Sequence, residues 1–280
     1  MPIRDILLPL VGEADEAAIA AIDKCAALAG DIGARVTAEA VEKEIMVRPK
    51  VTVSSDLENA AAVEAARSVS SAHSLLQAFD TAANRFGVRN EQRLSRLAAA
   101  DIPAHFARSA RLKDLSLVPV RAHDDQSEKI VEALIFESGR PILICPEESA
   151  PDLPVAFDNA VVAWDHTAPA ARAVADALPM LQQAANVRIV TATDRKTPAE
   201  QESGLALVNH LVEHGIKATF ETVKIDGSSV GKVFEAYVKA KAIDLLVMGA
   251  YRHSRLNELV WGGATKTVIG RPPCWVMMSR

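Results

Sequence analysis

The sequence predicts an α/β protein that contains two copies of one doubly wound module, each with a five-stranded parallel sheet. Segments of continuous aliphatic residues alternate with helical segments along the whole chain, which is typical of parallel strands covered by helices on both faces. Three pairs of short segments repeat in the same order, which indicates an internal duplication. The paired segments are 6–11 with 160–165, 114–123 with 244–253, and 139–141 with 270–272.

In the first copy, the aliphatic run at 6–11 predicts the first strand. The next segment has apolar residues at helical spacing, Ile19, Ile22 and Leu28, which predicts a helix. Short aliphatic runs then alternate with longer helical segments, as in repeated strand–helix–strand units. The predicted strands are 6–11, 36–41, 91–97, 115–120 and 141–145, and the predicted helices are 16–29, 60–86, 103–112 and 128–137.

The second copy repeats this order of elements. The predicted strands are 161–164, 187–193, 217–223, 245–248 and 275–278, and the predicted helices are 169–183, 198–214, 229–240 and 264–269. The paired segments are 154 residues apart at the first strand and 130 apart at the fourth, so the first copy has 24 more residues between these strands.

A proline-rich run separates the two copies. Pro146–Pro154 contains three prolines and three acids, which predicts a semi-extended linker. The predicted division is therefore a domain at 1–147, a linker at 148–158 and a second domain at 159–280.

The composition excludes several classes of protein. The chain has 280 residues, 49% of them hydrophobic and only 4% aromatic, so we expect an aliphatic core. The net charge is −5 and no basic patch is interleaved with aromatic residues, so nucleic acid is not an expected partner. No apolar run approaches the roughly 18–20 residues of a membrane span.

The location expected from the sequence is the cytoplasm. The first residues, MPIRDILLPL, lack the basic, apolar and cleavage regions of a signal peptide. The three cysteines, Cys25, Cys145 and Cys274, are odd in number and far apart. They therefore favour buried free thiols in a reducing compartment rather than a disulfide framework.

A glycine-rich loop lies between the last two predicted strands. The aliphatic run 245–248 stops at Gly249, and Gly262 to Thr265 opens the next predicted helix. Glycine lets a backbone approach a phosphate closely, and a helix start offers free N–H groups and a positive dipole end to an anion. In sheets of this kind ligands bind beyond the carboxyl ends of the strands, where the strand order reverses. The loop therefore predicts a phosphate-binding site.

This loop resembles the nucleotide-binding signature of the universal stress protein family. The signature is a glycine after the fourth strand, two residues, a second glycine, nine residues, and then a glycine followed by serine or threonine. Gly249 matches the first glycine and Gly262 the third, and Asp165 stands where the family has an aspartate near the adenine and ribose. The resemblance extends over both copies, so the chain is similar to tandem universal stress proteins, with a Rossmann-like fold in each half.

The resemblance implies a cytoplasmic stress-response protein that binds an adenine nucleotide, ATP or AMP, in its C-terminal domain and acts through contacts with partner proteins. Mg²⁺ would accompany the nucleotide, with loop acids such as Glu258 as candidate ligands. The terminal strands, 141–145 and 275–278, are expected to pair within the chain as a pseudo-dimer, or between chains as a homodimer. The implied nucleotide-binding residues are Asp165, Met248, Gly249, Arg252, His253, Gly262, Gly263, Ala264 and Thr265.

The sequence departs from the signature at two positions. Arg252 occupies the place of the second glycine, where its guanidinium either fills the phosphate space or binds a phosphate directly. Gly263 replaces the serine or threonine, although Thr265 supplies a hydroxyl two residues later. In the first copy Val11 replaces the aspartate and Pro119 the first glycine, which predicts a structural role for that copy. The alternative function is therefore a nucleotide-free interaction module in which both sites have decayed.

Enzymatic activity is not expected beyond slow ATP hydrolysis, because no general base or complete metal site is evident. A nucleotidyl transferase is disfavoured because the chain lacks a Walker A sequence and has no lysine between Gly249 and Ala264. Gly227–Gly231 matches the G-x-S-x-G nucleophile elbow, but we expect Ser228 or Ser229 to cap the following helix.

Other single residues have two interpretations. Asp165 is a nucleotide ligand, or an N-cap or turn residue for the helix from Pro169. Thr265 is a phosphate ligand or a helix cap. His123 and His253 recur at the same place in both copies, which favours a shared structural contact or a contact between the copies. A zinc pair formed by His210 and His214, one helical turn apart, would need a third ligand that is not evident.

Overall fold

A computed structural model describes residues 2–45, 55–195, 197–255, 258–261 and 263–280. The first half alternates strands and helices as the sequence predicts. Its elements are β1 (Asp5–Leu10), α1 (Glu16–Ile32), β2 (Arg35–Glu44), α2 (Ser55–Phe86), β3 (Asn90–Ala98), α3 (Ile102–Ala110), β4 (Leu115–Val120), α4 (Asp125–Glu137) and β5 (Ile142–Pro146).

The second half repeats this order and adds a hairpin before its last helix. Its elements are β6 (Asn159–Ala163), α5 (Ala168–Leu181), β7 (Asn186–Ala192), α6 (Pro198–Glu213), β8 (Ala218–Val223), α7 (Val230–Lys241), β9 (Leu245–Gly249), β10 (Arg252–Arg255), β11 (Glu258–Trp261), α8 (Gly263–Gly270) and β12 (Trp275–Ser279). Part of the predicted insertion lies in α2, which has 32 residues whereas α6 has 16.

The strands form one ten-stranded sheet in the order β3-β2-β1-β4-β5-β12-β9-β6-β7-β8. Each half contributes five parallel strands, as predicted. The two halves join where β12 pairs antiparallel with β5, with Met277 opposite Leu143. Of the two arrangements expected for the terminal strands, the one present in the structure is therefore pairing within the chain. This pairing covers two apolar strand edges that would otherwise be open.

Two hydrophobic clusters, one on each face of the sheet, form the core. The buried side chains are mainly aliphatic, as the composition predicts, and Trp275 is the largest fully buried side chain among those that the structure describes. Its indole Nε1 donates to the carbonyl of Pro154 at 3.0 Å, and its ring meets Phe157 edge to face at 6.1 Å between centroids.

The segment between the halves is packed rather than semi-extended. It contains a short 3-10 turn at Ala150–Asp152, and both Leu153 and Phe157 are buried. The apolar residues that follow the prolines account for this difference, because burying them against the sheet is favourable. The division into domains at 1–147 and 159–280 stays a prediction.

The hairpin formed by β10 and β11 was not predicted. It lies in the segment between Gly249 and Ala264, which the sequence indicated as a loop, and pairs Arg252 with Trp261 and His253 with Val260. Strands of four residues with mixed polarity are too short to give a clear periodic pattern. Within the described residues, no helix combines the length and the apolar character needed to cross a bilayer.

Candidate functional site

A cavity of about 490 Å³ opens at the carboxyl ends of β6, β7 and β9 in the second half. β6 has β9 on one side and β7 on the other, so the strand order reverses here, where this type of fold binds ligands. The volume falls within the roughly 300–1,000 Å³ of small-molecule sites. The lining residues are Ala163, Trp164, Asp165, Ala192, Ser229, Val230, Phe234, Met248, Gly249, Tyr251, Gly263, Ala264 and Thr265.

Six of the nine predicted site residues therefore line one cavity: Asp165, Met248, Gly249, Gly263, Ala264 and Thr265. Gly262 lies outside the described residues. The structure gives only the backbone of Arg252 and His253, in β10. Whether these nine residues bind a nucleotide stays a prediction.

Gly249 is required by packing. A Cβ atom at this position would lie 2.6 Å from the backbone nitrogen of Ala170 and 2.7 Å from the carbonyl carbon of Pro169. These atoms belong to the first turn of α5, which therefore rests directly on the end of β9. Gly249 is not among the residues with positive φ, so this close packing, and not the backbone conformation, explains the glycine.

Asp165 follows β6, and one of its oxygens has three hydrogen-bond donors. The Thr167 hydroxyl donates to Oδ1 at 2.6 Å, the Thr167 N–H at 3.2 Å and the Tyr251 hydroxyl at 2.8 Å. Oδ2 has no hydrogen-bond partner among the described residues and is the oxygen left for a ligand. Asp165 is not the N-cap, because Thr167 caps α5 by accepting from the N–H of Ala170 at 3.4 Å. The bond from the Thr167 N–H to Oδ1 agrees with the other part of that interpretation, a turn residue before the helix.

Tyr251 is a site residue that the sequence did not reveal. Its hydroxyl contacts Asp165 after β6, and its backbone N–H donates to Thr265 Oγ1 at 3.3 Å in α8. Burial, together with the carboxylate of Asp165, raises the pKa of Tyr251 well above its usual range, so its hydroxyl stays protonated and acts as a donor. An aromatic residue two positions after Gly249 is the only sequence signal that could have indicated this role.

The start of α8 forms one wall of the cavity. Gly263, its first residue, is exposed, and a Cβ atom added there would meet no atom within 4 Å. Thr265 is fully buried and accepts from the Tyr251 N–H. As the third residue of α8, Thr265 is not the N-cap, so the cap interpretation is wrong.

The G-x-S-x-G match has a structural explanation. Ser229 is the N-cap of α7 and accepts from the N–H of Lys232 at 3.3 Å, as expected. Gly227 has φ +72°, which favours glycine, and a Cβ atom at Gly231 would lie 2.5 Å from Thr267 Cβ in α8. Both glycines therefore serve the turn and the close packing of α7 against α8, and Ser229 also lines the cavity.

The other candidates are structural where they are described. His214 ends α6 as its C-cap, and its ring meets that of His210 at 4.8 Å between centroids. The described residues contain no group of three or more His, Cys, Asp or Glu side chains that could hold a metal. All three cysteines are buried and free, as expected. The N–H of His123 donates to the carbonyl of Gly270 at 2.8 Å, so the predicted contact between the halves is made there by the backbone.

The comparisons with known proteins agree with this doubled α/β architecture. Residues 156–280 match the sequence model of the universal stress protein family. A universal stress protein from Archaeoglobus fulgidus DSM 4304 has the same fold, with 15% identity, a TM-score of 0.66, and coverage of 99% of this chain and 98% of that chain. A functionally unknown protein from Pseudomonas aeruginosa PAO1 gives 13% identity, a TM-score of 0.60, and coverage of 99% and 92%.

These identities are low, so the structural matches establish the fold alone. No curated protein sequence matches the chain. Residues 156–280 match the model of the universal stress protein family, and the whole chain has the two-module fold of the Archaeoglobus protein.

Proposed function

We propose that the second half binds one adenine nucleotide, ATP or AMP, in the cavity beyond β6, β7 and β9, and that the protein responds to this ligand through its contacts with partner proteins. The observation that carries the proposal is that one cavity is lined by both a hydrogen-bond acceptor and an anion-binding element. The acceptor is Oδ2 of Asp165, and the anion-binding element is the exposed start of α8 at Gly263.

The chemistry of the lining supports this class of ligand. Apolar residues such as Ala163, Val230 and Phe234 provide surface for a base. Asp165 can accept hydrogen bonds from ribose hydroxyls or the adenine amino group, and the N–H groups at Gly263 and Ala264 suit a phosphate. When bound, Mg²⁺ would neutralise phosphate charge, with phosphate oxygens and water among its ligands.

Tyr251 links the ligand site to the hairpin. It touches Asp165 through its hydroxyl and Thr265 through its backbone, and it directly precedes β10. A ligand that engages Asp165 would therefore act on the residue from which the hairpin begins. We propose that a partner protein binds this hairpin and that nucleotide binding changes this contact.

A melting experiment tests the proposal. If the protein binds ATP or AMP, either nucleotide at millimolar concentration with Mg²⁺ raises the melting temperature, because a ligand that binds only the folded state stabilises it by mass action. GTP and inorganic triphosphate serve as controls for base recognition and for phosphate binding alone. No shift with either adenine nucleotide would contradict the proposal.

Replacing Gly263 by serine is expected to tighten ATP binding by about threefold to tenfold, the effect of one added hydrogen bond. The family signature has a serine or threonine at this place, and a Cβ atom at Gly263 meets nothing within 4 Å. Gly263→Ala is the matched control, because it adds the same Cβ without the hydroxyl. Equal affinities of the two variants in a calorimetric titration would mean that no phosphate reaches this position.

Tyr251→Phe is expected to weaken AMP binding by about threefold to tenfold while leaving the melting temperature of the ligand-free protein within a few degrees. The lost hydroxyl is one of three donors that hold Oδ1 of Asp165, so the carboxylate becomes less well oriented. Tighter binding by this variant would instead mean that the tyrosine hydroxyl competes with the nucleotide for Asp165.

One observation favours the alternative, a nucleotide-free interaction module. The Tyr251 side chain occupies Oδ1 of Asp165, and the Tyr251 N–H occupies the Thr265 hydroxyl oxygen, so two of the predicted ligand groups are already engaged within the protein. In that case the family fold would serve only as a scaffold, and the melting temperature would not respond to any nucleotide.

A further inference from the structure

The first half has its own cleft at the equivalent end of the sheet. A cavity of about 230 Å³ lies at the carboxyl ends of β1, β2 and β4. Val11 and Arg121, which follow β1 and β4, line it together with Val41 and Lys43 in the last part of β2. The strand order reverses between β1 and β4, so this is the ligand-binding position of the fold. The volume is below the roughly 300–1,000 Å³ of sites for drug-sized ligands, so an occupant is smaller than a nucleotide.

The inward-facing side of the long helix α2 changes from apolar to polar where the helix passes this cleft. Its core-facing stripe is apolar further along the helix, where Leu75 and Phe79 are buried. Four residues line the cleft at helical spacing on α2, and all are polar: Glu64, Arg67, Ser68 and Ser71. These polar residues lie on the same inward-facing side of the helix as the buried apolar residues. Their polarity indicates that this side of the helix faces a polar space at the cleft.

Charges of both signs surround the cleft. Arg121 pairs with Asp15 at 2.7 Å and with the buried Glu147 at 2.9 Å. Arg67 pairs with Glu13 at 3.0 Å. Within these networks the charges largely neutralise each other, so they form a polar rim rather than a field of one sign.

Two donors at the cleft have no partner among the described residues. Lys43 lines the cavity and forms no ion pair with a described side chain. The Nε2 atom of Gln126 is buried without a hydrogen bond. A buried amide donor without an acceptor is costly, so a ligand oxygen near Gln126 and Lys43 would satisfy both.

The floor beneath this rim is apolar. A smaller cavity adjoins the cleft and shares Val11, Ser127, Ile130 and Glu147 with it. Its remaining lining is largely aliphatic: Pro9, Leu10, Ala18, Ile22, Leu75, Val118 and Pro119. The cleft therefore offers charged groups at its mouth and hydrocarbon surface below them.

A nucleotide does not suit this cleft. Asp124 caps α4 and accepts from both the N–H and the hydroxyl of Ser127 at 2.7 Å. Asp125 and Glu128 add two further acids in the first turn of that helix. The helix start that would face phosphates is therefore occupied, and the carboxylates around it repel a group with several negative charges such as a triphosphate.

We propose that the cleft of the first half binds a small zwitterion with an aliphatic side chain, of the class of the apolar α-amino acids. The carboxylate of such a ligand meets the unpaired donors, its ammonium group meets the carboxylates of the rim, and its side chain covers the apolar floor. This inference concerns the first half and does not depend on nucleotide binding in the second.

Leucine and two single-charge analogues test the proposal on the full chain. 4-Methylpentanoate lacks the ammonium group and 3-methylbutylamine lacks the carboxylate, and all three have the same branched side chain. Leucine at millimolar concentration is expected to raise the melting temperature, and each analogue to raise it much less. No shift with leucine, or an equal shift with either analogue, would overturn the proposal.

Variants of cleft residues test whether leucine binds in this cleft. Lys43→Met is expected to weaken leucine binding by about tenfold, since it removes a charged donor, and Ser71→Leu to abolish it by filling the cavity. Lys239→Met, on the exposed face of α7 in the other half, is the matched control and should bind leucine as the unaltered protein does. If Lys43→Met and Ser71→Leu, each checked by circular dichroism, both bind leucine like the control, the proposal is wrong.

Discussion

Replacing Asp165 by asparagine is expected to weaken binding of ATP and AMP by about tenfold to a hundredfold. A hydrogen bond to a charged group contributes about 1.5–3 kcal/mol, and the substitution removes the charge while keeping the shape of the side chain. Because Thr167 and Tyr251 donate to Oδ1, the amide group of asparagine would turn its NH₂ toward the ligand position. Donors of the ribose would then face a donor instead of an acceptor.

Asp158→Asn is the matched control for this experiment. Asp158 is exposed and precedes β6, at the opposite end of the strand that leads to Asp165. Dissociation constants from calorimetry should be unchanged in Asp158→Asn and raised in Asp165→Asn. Equal affinities of the two variants for the nucleotide would mean that Asp165 is not part of the binding site.

The second large effect is expected from Gly249→Ala, which should destabilise the fold by about 1–3 kcal/mol, as added volume does in a tightly packed region. The new Cβ would lie 2.6 Å from a backbone atom of α5, and backbone atoms cannot rotate away as a side chain can. The helix must therefore move away from β9. Because Thr167 at its start donates to Asp165, this movement also displaces that carboxylate and weakens nucleotide binding.

Gly263→Ala provides the control, since it adds the same atom to another glycine of the cavity where nothing lies within 4 Å. Urea unfolding should give a lower midpoint for Gly249→Ala and an unchanged or slightly higher midpoint for Gly263→Ala, because alanine also favours a helix over glycine. A stable Gly249→Ala variant would mean that α5 does not rest on this glycine.

Most of the fold could be predicted from the sequence because buried parallel strands are continuous aliphatic runs. The run at 245–248, for example, became β9 with only one residue added at its end. The repeat of Gly139–Pro141 at Gly270–Pro272 likewise located both terminal strands. The sequence left two arrangements open for these strands, pairing within the chain or between chains, because either one covers an apolar strand edge.

The site was predictable at the level of strand ends and glycines, and not at the level of side-chain contacts. Asp165 and Gly249 could be assigned to one sheet edge by topology alone. The contact of Asp165 with Tyr251, 86 residues away, depends on the path of the loop after β9. Nor could the sequence distinguish a glycine required for phosphate approach from one required by the neighbouring helix, since both are simply glycine.

The cleft of the first half illustrates another limit of sequence reasoning. Val11 and Pro119 depart from the nucleotide signature, so the sequence predicted a structural role for this copy. The polar stripe on α2 becomes meaningful only once that helix is seen to continue from the core past the cleft. Spacing along the helix was visible in the sequence, but the surface that the stripe faces was not.

Calorimetric titration of the full chain with ATP in the presence of Mg²⁺ tests the central claim most directly, because it gives the number of sites as well as the affinity. The two halves share one fold, but we propose that only the second, with Asp165 and the open start of α8, accepts the nucleotide. The expected result is saturable binding of one ATP per chain. A titration without heat at several temperatures, or binding of two ATP molecules per chain, would contradict it.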